Sequence, residues 1–67
     1  MADLSVIRPY DTVHVVGVCN GQRRDVQGMV ATHSGDSIKL WVEVGNDVEK
    51  MWFMAGNIES IAVLLRE

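Results

Sequence analysis

The stretch SIKLWVEVGNDVEKMWFMAGNIESI, Ser37 to Ile61, decides the fold. It reads as two long strands, Ser37–Val44 and Val48–Ala55, a turn at Gly45-Asn46-Asp47, and a short return strand. Alternation with a period of two assigns the faces. Ile38, Leu40, Val42 and Val44 share one side, and Trp41 and Glu43 lie on the other. A turn centred on Asn46-Asp47 sets Leu40 opposite Phe53, Val42 opposite Met51 and Ile38 opposite Ala55. The outer side then pairs Trp41 with Trp52 and Glu43 with Lys50, both favourable cross-strand pairs. A turn at Gly45-Asn46 slides the register but leaves every face as it was. Either way the hairpin is apolar on both sides. So short a chain has one interior, so the second apolar side is expected to meet another protein surface.

Sixty-seven residues form one domain near the lower size limit for folding alone. A domain of this size buries only about 60% of its unfolded surface. Such scaffolds usually lean on disulfides, a metal or a partner subunit. Cys19 is the single cysteine, so no internal disulfide forms. With His14 and His33 it makes no zinc-ligand spacing, so neither a metal nor a cofactor is expected. Self-association is the remaining support. The net charge of −3 argues against a general polyanion binder, while leaving room for a local basic rim. No apolar run approaches the roughly 18 residues that span a bilayer. No basic segment followed by an apolar core opens the chain. With a lone cysteine, these features lead to the expectation of a cytoplasmic protein with no membrane partner.

Residues 1–10 read as an N-terminal arm or a short helical turn. Asp3-Leu4-Ser5 can cap such a turn and Pro9 limits it, whereas Val6-Ile7 prefer extended structure. Residues 11–67 read as the folded domain. Its first strand is Thr12–Val18, with Val13 and Val15 on one face and His14, Val16 and Val18 on the other. Gly17 inside the run implies a bulge or sharp curvature. Cys19 to Arg24 reads as a polar loop with an Asn20-Gly21 turn signal. Asp25 to Thr32 is the next strand, with Gly28 as a second bending point. His33-Ser34-Gly35-Asp36 is the turn that leads into the long hairpin. Gly56-Asn57 breaks the fourth strand, and Ile58-Glu59-Ser60 fits a tight helical turn or a strand start. Ile61, Val63 and Leu65 alternate as the last strand, with Arg66 and Glu67 as a frayed end.

The count is five strands with no helix to cover a sheet. Short, bent strands of this kind hide their edges by closing on themselves. The expected fold is all-β: a small, five-stranded, strongly bent SH3-like or Sm-like barrel that is homo-oligomeric.

Two resemblances follow. Gly21, Gly28 and Asp36 resemble the first motif of the Sm/LSm family, which includes bacterial Hfq. Phe53-Met54-Ala55-Gly56-Asn57-Ile58-Glu59-Ser60-Ile61 resembles its second motif, with Ala55 where the family carries Arg and one residue fewer. This resemblance implies an oligomeric ring that binds RNA, with the two turns beside a pore. Asp11-Thr12-Val13, Val26-Gln27-Gly28 and Ala55 to Ile61 also resemble the framework of type II dihydrofolate reductase, an SH3-like barrel that works as a tetramer. Lys50-Met51-Trp52-Phe53 replaces the Val-Gln-Ile-Tyr run of that family's active site, so the implied likeness extends to barrel and assembly and not to catalysis.

The candidate sites are weighed against plainer readings. Burying a Trp removes some 150–250 Å² from water. At about 25 cal/mol per Å² that is of order 4–6 kcal/mol. Trp41 and Trp52, with Met54 and Val48, therefore read as a subunit interface. Packing under the N-terminal arm and base stacking are the alternatives. His33, Ser34, Asp36 and Ser37, with Gly56 and Asn57, read as a nucleic-acid site in a ring or as plain turn chemistry. Arg23 and Arg24 read as phosphate contacts from a rim or as solvated loop residues. No catalytic constellation stands out, so no enzymatic activity is expected. The leading expectation is an Sm-like oligomer that binds nucleic acid, preferring single-stranded RNA. The alternative is a protein-binding adaptor or structural subunit.

Overall fold

A computed structural model describes residues 4–66, and the chain is all-β. The elements are β1 (Thr12–Cys19), β2 (Gln22–His33), β3 (Ser37–Val44), β4 (Asp47–Met54), a 3-10 turn at Ala55–Asn57, and β5 (Ile58–Leu65). They form one antiparallel sheet in the order β4-β3-β2-β1-β5. Three hairpins in sequence build β1 to β4. The 3-10 turn then carries the chain back so that β5 pairs with β1.

Turn chemistry sets the registers. Asn20 and Gly21 take φ 51 and 78 and join β1 to β2, the pattern of a type I′ turn. Cys19 then pairs with Gln22, so the loop expected over 19–24 is instead a tight hairpin. Gln22, Arg23 and Arg24 are polar because this end of the ribbon stands in solvent, not because it leaves the sheet. The β3–β4 turn is Gly45-Asn46, with Val44 opposite Asp47. Gly45 takes φ 63 at the first central position, where glycine meets no Cβ penalty. This selects the second of the two registers. Leu40 faces Met51 and Ile38 faces Phe53. Trp41 pairs with Lys50, Trp52 with Lys39, and Glu43 with Val48, so Trp41–Trp52 and Glu43–Lys50 are not opposite pairs. The face assignment is unaffected: Ile38, Leu40, Val42, Met51 and Phe53 are buried, and Trp41 and Trp52 point outward.

The sheet is strongly curved. Residues of β4 come within 8 Å (Cα–Cα) of β1, whereas strands three places apart in a flat sheet stand about 14 Å apart. Register shifts mark the bends, between Val16 and Gly17 and between Thr12 and Val13 against β5, and between Val30 and Thr32 against β3. A Cβ on Gly17 would lie 2.5 Å from the Asn57 carbonyl oxygen, so β5 and the 3-10 turn approach only because position 17 has none. Gly28 plays the same part for β3, its Cβ position being 2.6 Å from the Trp41 carbonyl oxygen. The irregularity of β2 itself falls further on, at Ala31.

The interior holds Val13, Val15, Val30, Ile38, Leu40 and Phe53, with Leu4 and Ile7 supplied by the lead segment. The Ile7 N–H donates to the Leu4 carbonyl at 3.2 Å, so this segment is a turn rather than a strand. The cap expected at Asp3 lies outside the described residues. Arg66 is not frayed. It donates from Nε to Asp11 Oδ1 at 3.1 Å, and from Nη2 to Asp11 Oδ2 at 2.9 Å and to the Val6 carbonyl at 2.7 Å. A buried carboxylate needs such a partner, and no apolar pattern in the sequence announces it. Glu67 lies outside the described residues.

Candidate functional site

The outer side of the β3–β4 hairpin is the most distinctive surface. Trp41 is 38% exposed and Trp52 50%. Met54 and Val48 on β4 and Met29 on β2 are exposed as well. The Lys39 ammonium stands 5.3 Å from the centre of the Trp52 ring, and the Lys50 ammonium 4.9 Å from that of Trp41. Each lysine thus lies on the indole directly across the ladder, a favourable cation–π contact. The side of the hairpin that alternation marked as apolar is therefore a mixed lattice of indoles and ammonium groups. Beside it runs an open groove of about 510 Å³, lined by Thr12, Gln27, Gly28, Met29, Trp41, Glu43 and Val48. Gly28 forms part of this lining because the Trp41 backbone approaches it closely.

At one end of the sheet two turns meet. The Ala55 N–H donates to the Asp36 carbonyl at 2.7 Å, tying the β2–β3 turn to the 3-10 turn. His33, Ser34, Asp36, Ser37, Gly56 and Asn57 are thereby gathered at one end. The Asp36 N–H donates to Ser34 Oγ at 3.3 Å, the Ser34 and Ser37 hydroxyls are 3.3 Å apart, and the Ser34 N–H donates to the Ser37 carbonyl at 2.9 Å. His33 is half-buried opposite Ile38, and its Nδ1 is buried with no hydrogen-bond partner.

Arg23 and Arg24 lie near the start of β2, with Arg24 opposite Gly17, the residue that abuts the Asn57 carbonyl. Arg23 Nε donates to Glu59 Oε2 at 2.9 Å, and Arg24 Nη2 to Gln22 Oε1 at 2.8 Å. His14 Nε2 is paired with Asp25 Oδ1 across β1 and β2. Cys19 is buried at its strand end. The Arg66 guanidinium holds the Asp11 carboxyl below the ordinary carboxylate range; burial opposes this, and the Arg8 N–H adds to it.

β4 and β5 are the edges of the sheet, each with one hydrogen-bonded neighbour. On β5 Val63, Leu64 and Leu65 are exposed. Unpaired apolar edges invite strand pairing with another chain. Among the described residues no group of three or more His, Cys, Asp or Glu could hold a metal, and no helix is long and apolar enough to cross a membrane.

The residues of this outer face that sequence reading did not assign to a site are Lys39, Lys50 and Met29. Their signal is cross-strand register, which fixes who stands on whom only once the turn is known. No family model, curated protein or solved structure matches the chain.

Proposed function

We propose that the chain is a small barrel of the SH3/Sm type, without catalytic chemistry, that assembles with copies of itself as a structural or adaptor subunit. The observation that carries this reading is the exposed outer face of the long hairpin. Trp41, Trp52, Met54, Val48 and Met29 are all open to water on one surface. Aromatic and methionine side chains are enriched in interface cores. The two unpaired edges of the sheet add to it. The test is the subunit count by light scattering at micromolar protein. More than one copy is expected. A stable monomer across the accessible concentration range overturns the reading.

A second reading, an Sm-like ring that prefers single-stranded RNA, is favoured by the joined turns. The Asp36–Ala55 hydrogen bond brings the two turns together, and exposed Ser34, Asp36 and Asn57 offer groups for a base edge. Arg23 is engaged by Glu59, which leaves it less able to serve a phosphate. Fluorescence anisotropy with short uridine-rich and adenosine-rich RNAs decides it. Salt-sensitive binding supports it, and no binding at high micromolar protein removes it.

A further inference from the structure

On the outer side of the β3–β4 hairpin, Lys39 stands opposite Trp52 and Trp41 opposite Lys50. Ammonium and indole therefore alternate both along each strand and across the pair. Neither lysine forms an ion pair with a carboxylate among the described residues. What each has is a ring face, at 5.3 Å for Lys39 and 4.9 Å for Lys50.

The geometry points to an isologous, face-to-face dimer in which this lattice docks on the same lattice of a second copy. This deepens, and rests on, the self-assembly reading above. An isologous contact requires a patch that is complementary to itself when turned over about a two-fold axis in the interface plane. Consider that axis running along the strands, midway between β3 and β4. It sets Lys39 opposite Trp52 of the second copy and Trp41 opposite Lys50 of the second copy. Consider it instead running across the strands, midway between the two rows. Lys39 then meets Trp41 of the second copy, and Lys50 meets Trp52. In both arrangements every ammonium faces an indole and no lysine faces a lysine. A row of tryptophans beside a row of lysines would pass only one of these two operations.

Docking leaves each ammonium between its own indole and that of the second copy and removes part of its hydration, a cost that the ring contacts must offset. Cation–π attraction strengthens on such desolvation. Face-to-face sheets stand about 10 Å apart, the depth of one interdigitated layer of side chains. Met54 and Val48, exposed on the same face of β4, supply an apolar flank. A polyanion fits the face less well, because exposed Glu43, Asp47 and Glu49 cluster at the adjoining hairpin tip.

Both tryptophans of the chain lie in the lattice, so indole fluorescence reports on it alone. The first measurement uses the unaltered chain. Acrylamide quenching and sedimentation are followed together over a dilution series. Indoles that are shielded in the assembly, and that open to acrylamide as the mass falls to one copy, are the expected result. The second measurement uses the double variant Lys39→Glu/Lys50→Glu, which puts anions against the ring faces. With circular dichroism unchanged, its dissociation constant is expected to rise about 100-fold, from four lost contacts of modest size. Lys39→Arg/Lys50→Arg should retain the assembly. A chain that associates while its indoles stay open to acrylamide overturns the lattice and leaves the self-assembly reading standing. So does a glutamate variant that associates as tightly as the parent. A chain that is monomeric throughout overturns both. Short RNA that separates the copies while shielding the indoles overturns the dimer and assigns the face to bases.

Discussion

Arg66 and Asp11 lie 55 positions apart in sequence and meet through two hydrogen bonds, Nε to Oδ1 at 3.1 Å and Nη2 to Oδ2 at 2.9 Å. Removing the guanidinium strands a carboxylate that is 2% exposed. Arg66→Ala should therefore lower the urea midpoint, and by more than Arg66→Lys, which keeps a cation in reach. Equilibrium unfolding at neutral pH checks the order of the three proteins.

The same pair sets a pH dependence. Asp11 is held below its ordinary range by Arg66, against the opposing effect of burial and with help from the Arg8 N–H. A carboxyl whose folded pKa is depressed contributes stability that is complete above its unfolded pKa of about 3.9. That contribution fades as the pH falls through the folded value. The stability gap between the parent and Asp11→Asn should thus be constant at neutral pH and shrink below about pH 4. Thermal melts of the two proteins between neutral and strongly acidic pH read it directly.

Arg23 and Glu59 provide the contrast. Their ion pair measures 2.9 Å, but the two side chains are 65% and 57% exposed. Solvent screening limits such a pair to under about 1 kcal/mol. Glu59→Ala should change stability by no more than that, and added salt should erase the difference.

The glycines divide in the same way. Gly17→Ala places a methyl group 2.5 Å from the Asn57 oxygen and 2.9 Å from the Ile58 Cα, both of them backbone atoms. Overpacking of this kind costs about 1–3 kcal/mol. Gly35 has nothing within 4 Å of its Cβ position and no positive φ. Gly35→Ala should be neutral, or stabilising by up to about 1 kcal/mol through the unfolded state. Paired urea titrations separate the two.

Phe53 is fully buried between the sheet and the lead segment's contribution to the core. Phe53→Ala is expected to cost about 3–5 kcal/mol. At about 0.05–0.15 kcal/mol per residue, the whole chain has a stability of only about 3–10 kcal/mol. The variant should lose about a third or more of that stability, which urea titration followed by far-ultraviolet circular dichroism reveals.

The faces of the strands were legible because alternation with a period of two is imposed by the pleat itself. Ile38, Leu40 and Val42 could be assigned inward without knowing the turn. The bend at Gly17 was legible because a glycine amid valines has few other uses in a strand. Register was not legible, since Gly45-Asn46 and Asn46-Asp47 are both acceptable turn centres and differ only in which residue takes positive φ. Without the register, the stacking of Lys39 on Trp52 and of Lys50 on Trp41 was hidden. The start of β2 was obscured by its polarity, because Gln22 to Arg24 form a ribbon end in solvent. Arg66 looked like a loose end because its partner stands at the far end of the chain. The gathering of the Ser34–Ser37 turn and the Gly56–Asn57 turn depends on a backbone hydrogen bond that no side-chain pattern encodes.

The hydrogen bond from Arg66 to the Val6 carbonyl, 2.7 Å long, has an architectural consequence. Among the described residues, the lead segment at Val6 and the residue that follows β5 meet at a single doorway. A unit with such a doorway can be spliced as a cassette into a surface loop of a host protein with very short connectors, and neither body has to open to accept the other.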